Sequence, residues 1–378
     1  MIGFGDLDLL TLQQYWWIVV SLIGGLFVFI MFVQGGQTLI FQLSRTETEK
    51  TMLINAIGRK WELGFTTLVL FGGALFAAFP LFYATSFGGA YWVWLFILFC
   101  FIIQAVSYEF RTKPSNFFGQ KTYEIFLYIN GSIGVFLLGT AISTFFSGSE
   151  FAIDSNNFSH WQNPLRGLEA LFNPFNYLLG LALIFLTRIS GAMYYINTID
   201  YEPIYHRAIK SIKIDMILFL VFFLSFLGWI FLKDGFAVDS DGVVYLEQYK
   251  YFTNFIEMPA LLIAFLLGVV LVILSAFQTI ILKSKTAIKV GGTGIVLTVT
   301  ALLSSIGLNN TSYYPSTFDL QSSLTIANSA GSHYTLMTMG YASLMVPFVL
   351  AYITYAWYEM DKVKITKEEI EAPDAHNY

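Results

Sequence analysis

The stretch QQYWWIVVSLIGGLFVFIMFVQGGQTLI, residues 13–40, contains no charged side chain. A helix rises about 1.5 Å per residue, so about 20 apolar residues cross the hydrocarbon layer of a bilayer, which is about 30 Å thick. A membrane β-strand would instead alternate apolar and polar residues over about 10 positions, whereas this stretch is apolar on all faces. The stretch therefore predicts a transmembrane helix.

Eight more segments of this kind follow along the chain. They run from 62–84, 89–109, 122–147, 174–199, 213–232, 255–282, 287–308 and 330–360. The composition agrees, because 56% of the residues are hydrophobic and only 12% are charged, a balance that a soluble domain of this size could not easily keep in solution. We therefore predict an all-α polytopic membrane protein with nine transmembrane helices.

Positive charge in the loops falls almost entirely on one side of these helices. With nine spans, the loops after segments 1, 3, 5 and 7 share a side with the C-terminal tail, and this side carries sixteen of the twenty Lys and Arg residues. The other side carries three, and Arg188 lies inside a segment. Cytoplasmic loops of membrane proteins are enriched in Lys and Arg. The N-terminus is therefore predicted to lie outside and the C-terminus in the cytoplasm.

The chain is predicted to form a single integral membrane domain over residues 1–378. Segments 1–4 and 5–8 would form two successive four-helix bundles, and the ninth helix would be peripheral. The predicted ranges are 1–150 for the first bundle, 170–310 for the second, 328–362 for the ninth helix and 363–378 for the cytoplasmic tail. A weak sign of a parallel repeat is that Gln34-Gly35-Gly36 and Arg188-Ile189-Ser190-Gly191 lie at similar depths. The longest outer loops, 148–173, 233–254 and 309–329, are predicted to be surface turns.

Cysteine and histidine usage argues against several kinds of cofactor site. The only thiol, Cys100, lies within an apolar segment, so an internal disulfide or a Cys-ligated cluster cannot form. Of the four histidines, His160 and His206 lie in loops, His376 in the tail and His333 at the start of the ninth segment. A haem held between helices by two histidines cannot be built from these. We expect no catalytic residue, bound cofactor or metal in this chain.

Charged residues within or beside the apolar segments are the candidates for function, because charge inside a membrane is costly. Arg188 lies about 20 Å into the bilayer by helical rise and needs a partner, for which Glu62 and Glu109 are both candidates and Glu109 is the predicted one. Glu62 begins the second segment beside Trp61, where a carboxylate can pass protons or can simply be a solvated helix end. Asp215, at the start of the sixth segment, is expected to reach water or to pair with a nearby basic residue.

Residues 48–84 contain four elements in a fixed order: TEKTMLINAI (48–57), Trp61-Glu62, GGALFAAFP (72–80) and Tyr83-Ala84. In these elements and their order the chain resembles subunit II of the cytochrome bd-type quinol oxidases. The family has an INxI element, a Trp-Asp or Trp-Glu pair and a GGALFAAxPxxYA segment in this order. Further matches are Trp16-Trp17, Tyr108-Glu109-Phe110-Arg111-Thr112-Lys113, Asn173-Pro174-Phe175 and, in the last outer loop, Pro315-Ser316, Ser322-Ser323-Leu324-Thr325 and Asn328-Ser329.

The sequence also departs from the family's pattern at three positions. Gln34 and Gln37 stand in the first segment where many members have Asp, and Thr67 stands where some members have Trp. These replacements put in doubt a first-helix proton path and an oxygen channel lined by that Trp.

The resemblance implies a respiratory complex of the bacterial inner membrane. Subunit I would carry the b-type and d-type haems and the quinol site, and would reduce oxygen to water. Subunit II would be haem-free, would stabilise subunit I in an obligate heterodimer, and would border a proton path at Glu62 and Trp61. No nucleic-acid partner is expected. The quinone type, small accessory subunits and a quinone or lipid bound to this subunit are left open.

An alternative is a stand-alone secondary transporter with a parallel internal repeat and Arg188 as an anion site. Helices broken by Pro or Gly at corresponding positions of the two halves would favour it. Co-purification with a haem-bearing partner would favour the oxidase subunit instead.

Overall fold

The computed structural model describes residues 3–372, and most of them are helical. The helices are α1 (Leu9–Ile30), α2 (Phe32–Leu43), α3 (Glu47–Gly58), α4 (Trp61–Ala78), α5 (Pro80–Tyr83), α6 (Tyr91–Phe110), α7 (Gln120–Ile129), α8 (Val135–Ser147), α9 (Pro174–Thr198), α10 (Glu202–Leu232), α11 (Lys250–Glu257), α12 (Pro259–Ile280), α13 (Ala287–Gly307), α14 (Ile326–Ser329), α15 (His333–Ser343), α16 (Val346–Asp361) and α17 (Lys367–Glu371). Four short strands form two hairpins: β1 (Phe151–Ile153), β2 (Ser159–Trp161), β3 (Gly235–Val238) and β4 (Val244–Glu247).

Within residues 3–372, eight helical segments are long and apolar enough to cross a membrane, and the pair α15 and α16 would be a ninth if it is one bent span. The predicted membrane-spanning helical fold is thereby confirmed. The ninth helix was predicted as one segment, 330–360, but α15 and α16 meet at an angle of 40°. Pro347, in the first turn of α16, accounts for the break because proline lacks an N–H and its ring clashes with the preceding turn.

Other boundaries differ from the predicted ones where proline or polar residues occur. The sixth span was predicted to begin at 213, but α10 begins at Glu202, with Pro203 in its first turn, a favoured position for proline. Pro80 and Pro259 separate α4 from α5 and α11 from α12. Within the fourth span, α7 and α8 are joined by a π-helical turn, Asn130–Gly134.

Close packing between helices depends on glycines that lack a side chain. A Cβ at Gly139 would lie 2.6 Å from Cα of Gly180, so α8 and α9 approach with their backbones in contact. A Cβ at Gly35 would overlap the carbonyl of Thr187, and one at Gly191 would lie 2.5 Å from N of Gly36. Small residues permit such approaches between membrane helices. The two stretches predicted to be equivalent members of a repeat therefore pack directly against each other, α2 on α9.

One end of the molecule, which we call the hairpin face, consists of residues 148–173, 233–258 and 308–332. All three outer loops, 148–173, 233–254 and 309–329, were predicted as surface turns. Each of the first two contains a β-hairpin, with Phe151 opposite Trp161 and Gly235 opposite Glu247. In the third, residues 311–316 are buried, so the prediction of a surface turn is wrong there. Lys233 lies here beyond the end of α10 and donates to the carbonyl of Phe146 at 2.8 Å, capping α8. Burial lowers the pKa of Lys233 to about 8.

The opposite end, which carries Arg59 and Lys60, is called the basic face. Residues 362–372 pack across this end of the helices, and we call this segment the strap. The strap is fixed by backbone hydrogen bonds of 2.9 Å on either side of Ile365, to Thr198 and to Asp200. Ion pairs of 2.9 Å also join Arg59 to Glu369 in the strap and Lys60 to Asp361 just before it. Residues 363–372 of the predicted tail thus pack on the helices. Residues 373–378, including His376, lie outside the described residues.

Candidate functional site

Four buried amide side chains meet in the membrane interior, and we call them the amide cluster: Gln34, Gln37, Gln104 and Asn130. Oε1 of Gln104 accepts from Nε2 of Gln34 at 2.9 Å, from Nε2 of Gln37 at 2.7 Å and from Nδ2 of Asn130 at 2.5 Å. Nδ2 of Asn130 also donates to Oε1 of Gln37 at 3.0 Å. All four residues have zero exposure.

Three spans bring these side chains together. Gln34 and Gln37 are three residues apart on α2 and therefore share one face of that helix. Gln104 lies on α6, and Asn130 begins the π-helical turn of the fourth span. A Cβ at Gly131 would collide with the carbonyl of Gln34, so glycine is required there for the turn to approach α2. Wide helical turns of this kind are frequent at functional sites.

An aromatic pair connects the amide cluster to the predicted site at Glu62. The hydroxyl of Tyr108 accepts from Nε2 of Gln37 at 3.2 Å. Trp61 stacks on Tyr108, with ring centroids 5.6 Å apart and 16° between the planes. Glu62 is the next residue and is exposed in the first turn of α4. The two predicted proton-path residues thus differ in position, because Trp61 packs inward and Glu62 lies on the surface of this chain.

A second polar group lies between the amide cluster and the basic face. Arg111 donates to Oε1 of Glu124 through Nε at 3.1 Å and through a terminal nitrogen at 2.9 Å, and Lys50 reaches Oε2 of Glu124 at 3.1 Å. The side chains of Arg111 and Glu124 are 2% and 1% exposed. Arg111 follows Gln104 by seven residues on α6, which is about 10 Å along the helix. The two cations neutralise a carboxylate that would be costly to bury alone.

Arg188 forms a third polar group with residues of α2 and α10. Its Nε lies 3.0 Å from Oδ1 of Asp215, and its terminal nitrogens donate to Thr38 at 3.0 Å and to Gln42 at 2.7 Å. Ser211 donates to the other oxygen of Asp215 at 2.7 Å. We call these five residues the arginine cluster. Every nitrogen of the guanidinium and both carboxylate oxygens are hydrogen-bonded, as a buried ion pair requires.

The partner predicted for Arg188 is therefore corrected from Glu109 to Asp215. Glu109 is exposed and forms an ion pair with Lys113 on its own side of the molecule. The physical reason is the early start of α10 at Glu202. Asp215 lies 13 residues after the start of α10, and Arg188 lies 10 residues before the end of α9. Because α9 and α10 are consecutive helices joined at this end, the two residues lie at a similar depth.

Sequence reasoning missed Gln104 and Asn130 as members of a site. The available signal was an amide side chain in the middle of an otherwise apolar segment, a residue type that commonly bonds across helices in membranes. Gln34 and Gln37 were noticed because they replace acidic residues of the family. Their convergence on Gln104 required the structure.

Each described histidine is bonded to a nearby group. His160 lies 3.0 Å from Asp154 and His206 lies 3.1 Å from Glu202, both at the surface. His333 bonds the carbonyl of Leu7 at 2.8 Å, as expected of a hydrogen-bonded residue at a helix start. Within residues 3–372, His, Cys, Asp and Glu side chains form no group of three that could hold a metal ion.

An apolar cavity of about 90 Å³ lies where α1, α8, α9, α10, α12 and α13 meet. Its walls are Leu, Val, Ile and Phe side chains, and its hydroxyl-bearing residue, Thr298, donates to the carbonyl of Gly294 on its own helix at 2.8 Å. The cavity therefore offers no polar group that could orient a polar or charged substrate.

Comparison with known proteins gives concordant results. The family described as cytochrome bd terminal oxidase subunit II matches residues 12–360. Cytochrome bd-I ubiquinol oxidase subunit 2 of Escherichia coli (strain K12) is 26% identical over 380 residues, covering 97% of this chain and 98% of the relative. Cytochrome bd ubiquinol oxidase subunit 2 of Bacillus subtilis (strain 168) is 27% identical over 368 residues, covering 95% and 98%.

The fold is also similar to that of a solved structure, the bd oxidase from Geobacillus thermodenitrificans. The TM-score is 0.64 at 13% sequence identity, with 92% of this chain and 98% of that chain covered. The comparisons do not favour the alternative of a stand-alone secondary transporter.

Proposed function

Because this chain belongs to the cytochrome bd terminal oxidase subunit II family, we propose that it is the haem-free subunit of a bacterial quinol:oxygen oxidoreductase and helps to deliver protons from the cytoplasm. Its homologues are subunits of terminal oxidases, which are electron-transferring, oxygen-reducing enzymes. The observation that carries the proposal is that Trp61 stacks on Tyr108, whose hydroxyl is hydrogen-bonded to the amide cluster. This arrangement has polar groups where a membrane protein otherwise excludes them. The chain alone is not catalytic in this proposal.

The partner is a haem-bearing subunit I that holds the b-type and d-type haems and the quinol site and reduces oxygen to water. This chain would stabilise it in an obligate heterodimer in the bacterial inner membrane. The histidines described above leave no pair at membrane depth for a haem here. Small accessory subunits, membrane lipids and a quinone bound to this subunit are further expectations of the same proposal.

The orientation proposed for the chain has the basic face in the cytoplasm. Sixteen of its twenty Lys and Arg residues lie in the loops and tail on that side, in accord with the positive-inside rule. Residues 1–150 and 170–310 would be the two four-helix bundles, and the ninth helix, 328–362, would be peripheral. In support, α16 buries none of its side chains within this chain, so its surface is available to lipid or to subunit I.

Proton delivery would begin at Glu62. Its carboxylate lies at the cytoplasmic margin in the proposed orientation, where it can exchange a proton with water on one side and with buried polar groups on the other. Trp61 would hold the start of α4 against Tyr108 by stacking. Tyr108 would keep Gln37 in place by accepting its N–H.

The experiment is to express the chain with and without the neighbouring haem-bearing subunit and to record the visible spectrum of the purified product. Bands of b-type and d-type haem are expected from the complex and are expected to be lost when the chain is made alone. Stoichiometric haem on the isolated, folded chain would contradict the haem-free assignment. Failure to isolate any haem-bearing partner with this chain would contradict the heterodimer.

A further inference from the structure

The amide cluster leaves three of its polar atoms without a hydrogen-bond partner among the described residues. They are Oε1 of Gln34, Nε2 of Gln104 and Oδ1 of Asn130. All three side chains are completely shielded from the surface. A buried amide group without a partner is unfavourable, because it has given up its hydrogen bonds to water. The protein alone therefore does not complete this network.

The hydrogen bonds within the cluster are also unevenly distributed. Oε1 of Gln104 accepts from Gln34, Gln37 and Asn130. An amide oxygen has two lone pairs, so three N–H donors exceed its capacity. A molecule that both donates and accepts would satisfy the unpaired oxygens and relieve the surplus of donors. Water is the small ligand with both properties.

Helix α4 faces the cluster at Gly64. A methyl carbon placed on Gly64 would have as its three nearest neighbours atoms of the Gln34 carboxamide: Nε2 at 3.4 Å, Oε1 at 3.6 Å and the carbonyl carbon at 3.9 Å. No other side chain therefore stands between Gly64 and the unpaired Oε1 of Gln34. A molecule that donates to this oxygen from the side of α4 would compete with a methyl group at that position.

We propose that the amide cluster is a binding site for ordered water, centred between Gly64 and Gln34. The water donates to Oε1 of Gln34. Hydration extends to the other two unpaired atoms, where water accepts from Nε2 of Gln104 and donates to Oδ1 of Asn130. Buried waters in proteins typically make about three such bonds to groups that the protein leaves unpaired.

This inference rests on the proposed role in proton delivery for its functional consequence. An amide cannot change charge near neutral pH, and the four cluster members are all amides. A proton that crosses this part of the chain would therefore move through the bound water, with the amides fixing the positions of its oxygens. Gln34 and Gln37, which stand where many family members have Asp, would thus hold water in place of a carboxyl group that can titrate.

The test is a map of the complex with its partner subunit, at a resolution that shows ordered waters. We expect density within hydrogen-bond distance of Oε1 of Gln34. Gly64→Ala should remove this density, because the added methyl occupies the same space. Gly73→Ala is the matched control, since it lies on the same helix and its added methyl would meet nothing within 4 Å.

Oxygen consumption per haem is measured on the unmodified complex, Gly64→Ala and Gly73→Ala. It separates the existence of the water site from proton delivery through that water. Loss of the water density together with a several-fold fall in turnover for Gly64→Ala alone would support both. Loss of the density with unchanged turnover would support the water site and contradict proton delivery through it. A map that resolves waters elsewhere in the membrane interior but none at the cluster would overturn the proposal, and this result needs only the unmodified complex.

Discussion

The amide cluster and the arginine cluster are both attached to α2, on neighbouring faces, yet they solve the problem of burying polar groups in different ways. Gln34 and Gln37 belong to the amide cluster, and Thr38 and Gln42 bond Arg188 in the arginine cluster. In the arginine cluster, each guanidinium nitrogen and each carboxylate oxygen has a protein partner. In the amide cluster, three atoms have none.

The difference follows from the cost of leaving each kind of group unpaired. Breaking a buried ion pair costs about 3–5 kcal/mol, whereas an unpaired neutral amide costs about 1–3 kcal/mol, which a single water can recover. Full charges must therefore be satisfied by the fold itself, and neutral groups can be left to the solvent. We therefore expect the arginine cluster to serve assembly and the amide cluster to serve the proposed proton delivery.

The largest effect is expected from Arg188→Ala, which leaves Asp215 buried and unpaired. We expect a loss of stability of about 3–5 kcal/mol, seen as a strongly reduced yield of assembled complex and a lower unfolding temperature. Arg188→Lys should be tolerated only in part, because an ammonium lacks the forked geometry that reaches Asp215, Thr38 and Gln42 together.

Arg45→Ala is the control for this experiment, because Arg45 is exposed and bonds only backbone carbonyls in the described chain. The double variant Arg188→Ala/Asp215→Asn should recover part of the loss, since it removes both charges. Normal assembly of Arg188→Ala would show that the ion pair does not hold α9 to α10.

Gln104→Leu should have the next largest effect, because it removes the acceptor shared by three amides. We expect a cost of about 1–3 kcal/mol in thermal unfolding of the complex, together with slower turnover. Gln14→Leu, at an exposed position of α1, is the matched control. If Gln104→Leu unfolds and turns over like the control, the cluster contributes neither stability nor function.

Glu62→Gln tests whether Glu62, in the first turn of α4, takes part in proton delivery. We expect several-fold slower oxygen consumption per haem with the haems retained, because an amide cannot take up a proton, and Glu62→Asp should keep much of the rate. Glu109→Gln is the control, since Glu109 is an exposed carboxylate near the same face. Rates should be measured at several pH values. An assembled Glu62→Gln complex with wild-type rates would make Glu62 a solvated helix end.

The smallest effect concerns Lys233, a half-buried cation whose described hydrogen bond is to a neutral carbonyl. Burial lowers its pKa to about 8 from 10.5, so between these values the unfolded chain binds more protons and stability rises with pH. Below pH 8 the cost of the buried charge is fully present.

Thermal unfolding of the wild type and of Lys233→Met should therefore be compared from pH 7 to pH 10.5. At about 1.4 kcal/mol per pKa unit the full shift would correspond to about 3 kcal/mol. Because Lys233 is only half-buried and solvent screens its charge, we expect the wild type to gain on the order of 1 kcal/mol relative to the variant across pH 8–10.5. A constant difference between the two proteins over this range would mean that Lys233 keeps an ordinary pKa.

Much of the fold could be predicted because long apolar segments have few alternatives in a membrane. The predicted segment 287–308 and the observed α13, Ala287–Gly307, agree almost to the residue. The bend before Pro347 could have been predicted from that proline. The start of α10 could not, because Glu202 to Lys213 is too polar to indicate a span and is helical only as an extension beyond it.

The site was less predictable, because it depends on which helices are neighbours. Arg188 clearly needed a partner, but the candidates from the sequence were Glu62 and Glu109. Identifying Asp215 instead required the depth of each residue and the pairing of α9 with α10. Gln104 and Asn130 lie far apart in the sequence from Gln34, and hydrophobic periodicity carries no information on such contacts. Glu62 and Trp61 as a proton path remain a prediction.

The strap at the basic face has a consequence for biosynthesis. Arg59 and Lys60 are made early in translation, but their ion-pair partners, Glu369 and Asp361, lie about three hundred residues later in the chain. The ion pairs of the first membrane helices at this end therefore cannot form until residues 361–369 have emerged from the ribosome. Closure of the strap is then a late event, and a nascent chain stopped before residue 361 would present an open basic face to chaperones and proteases.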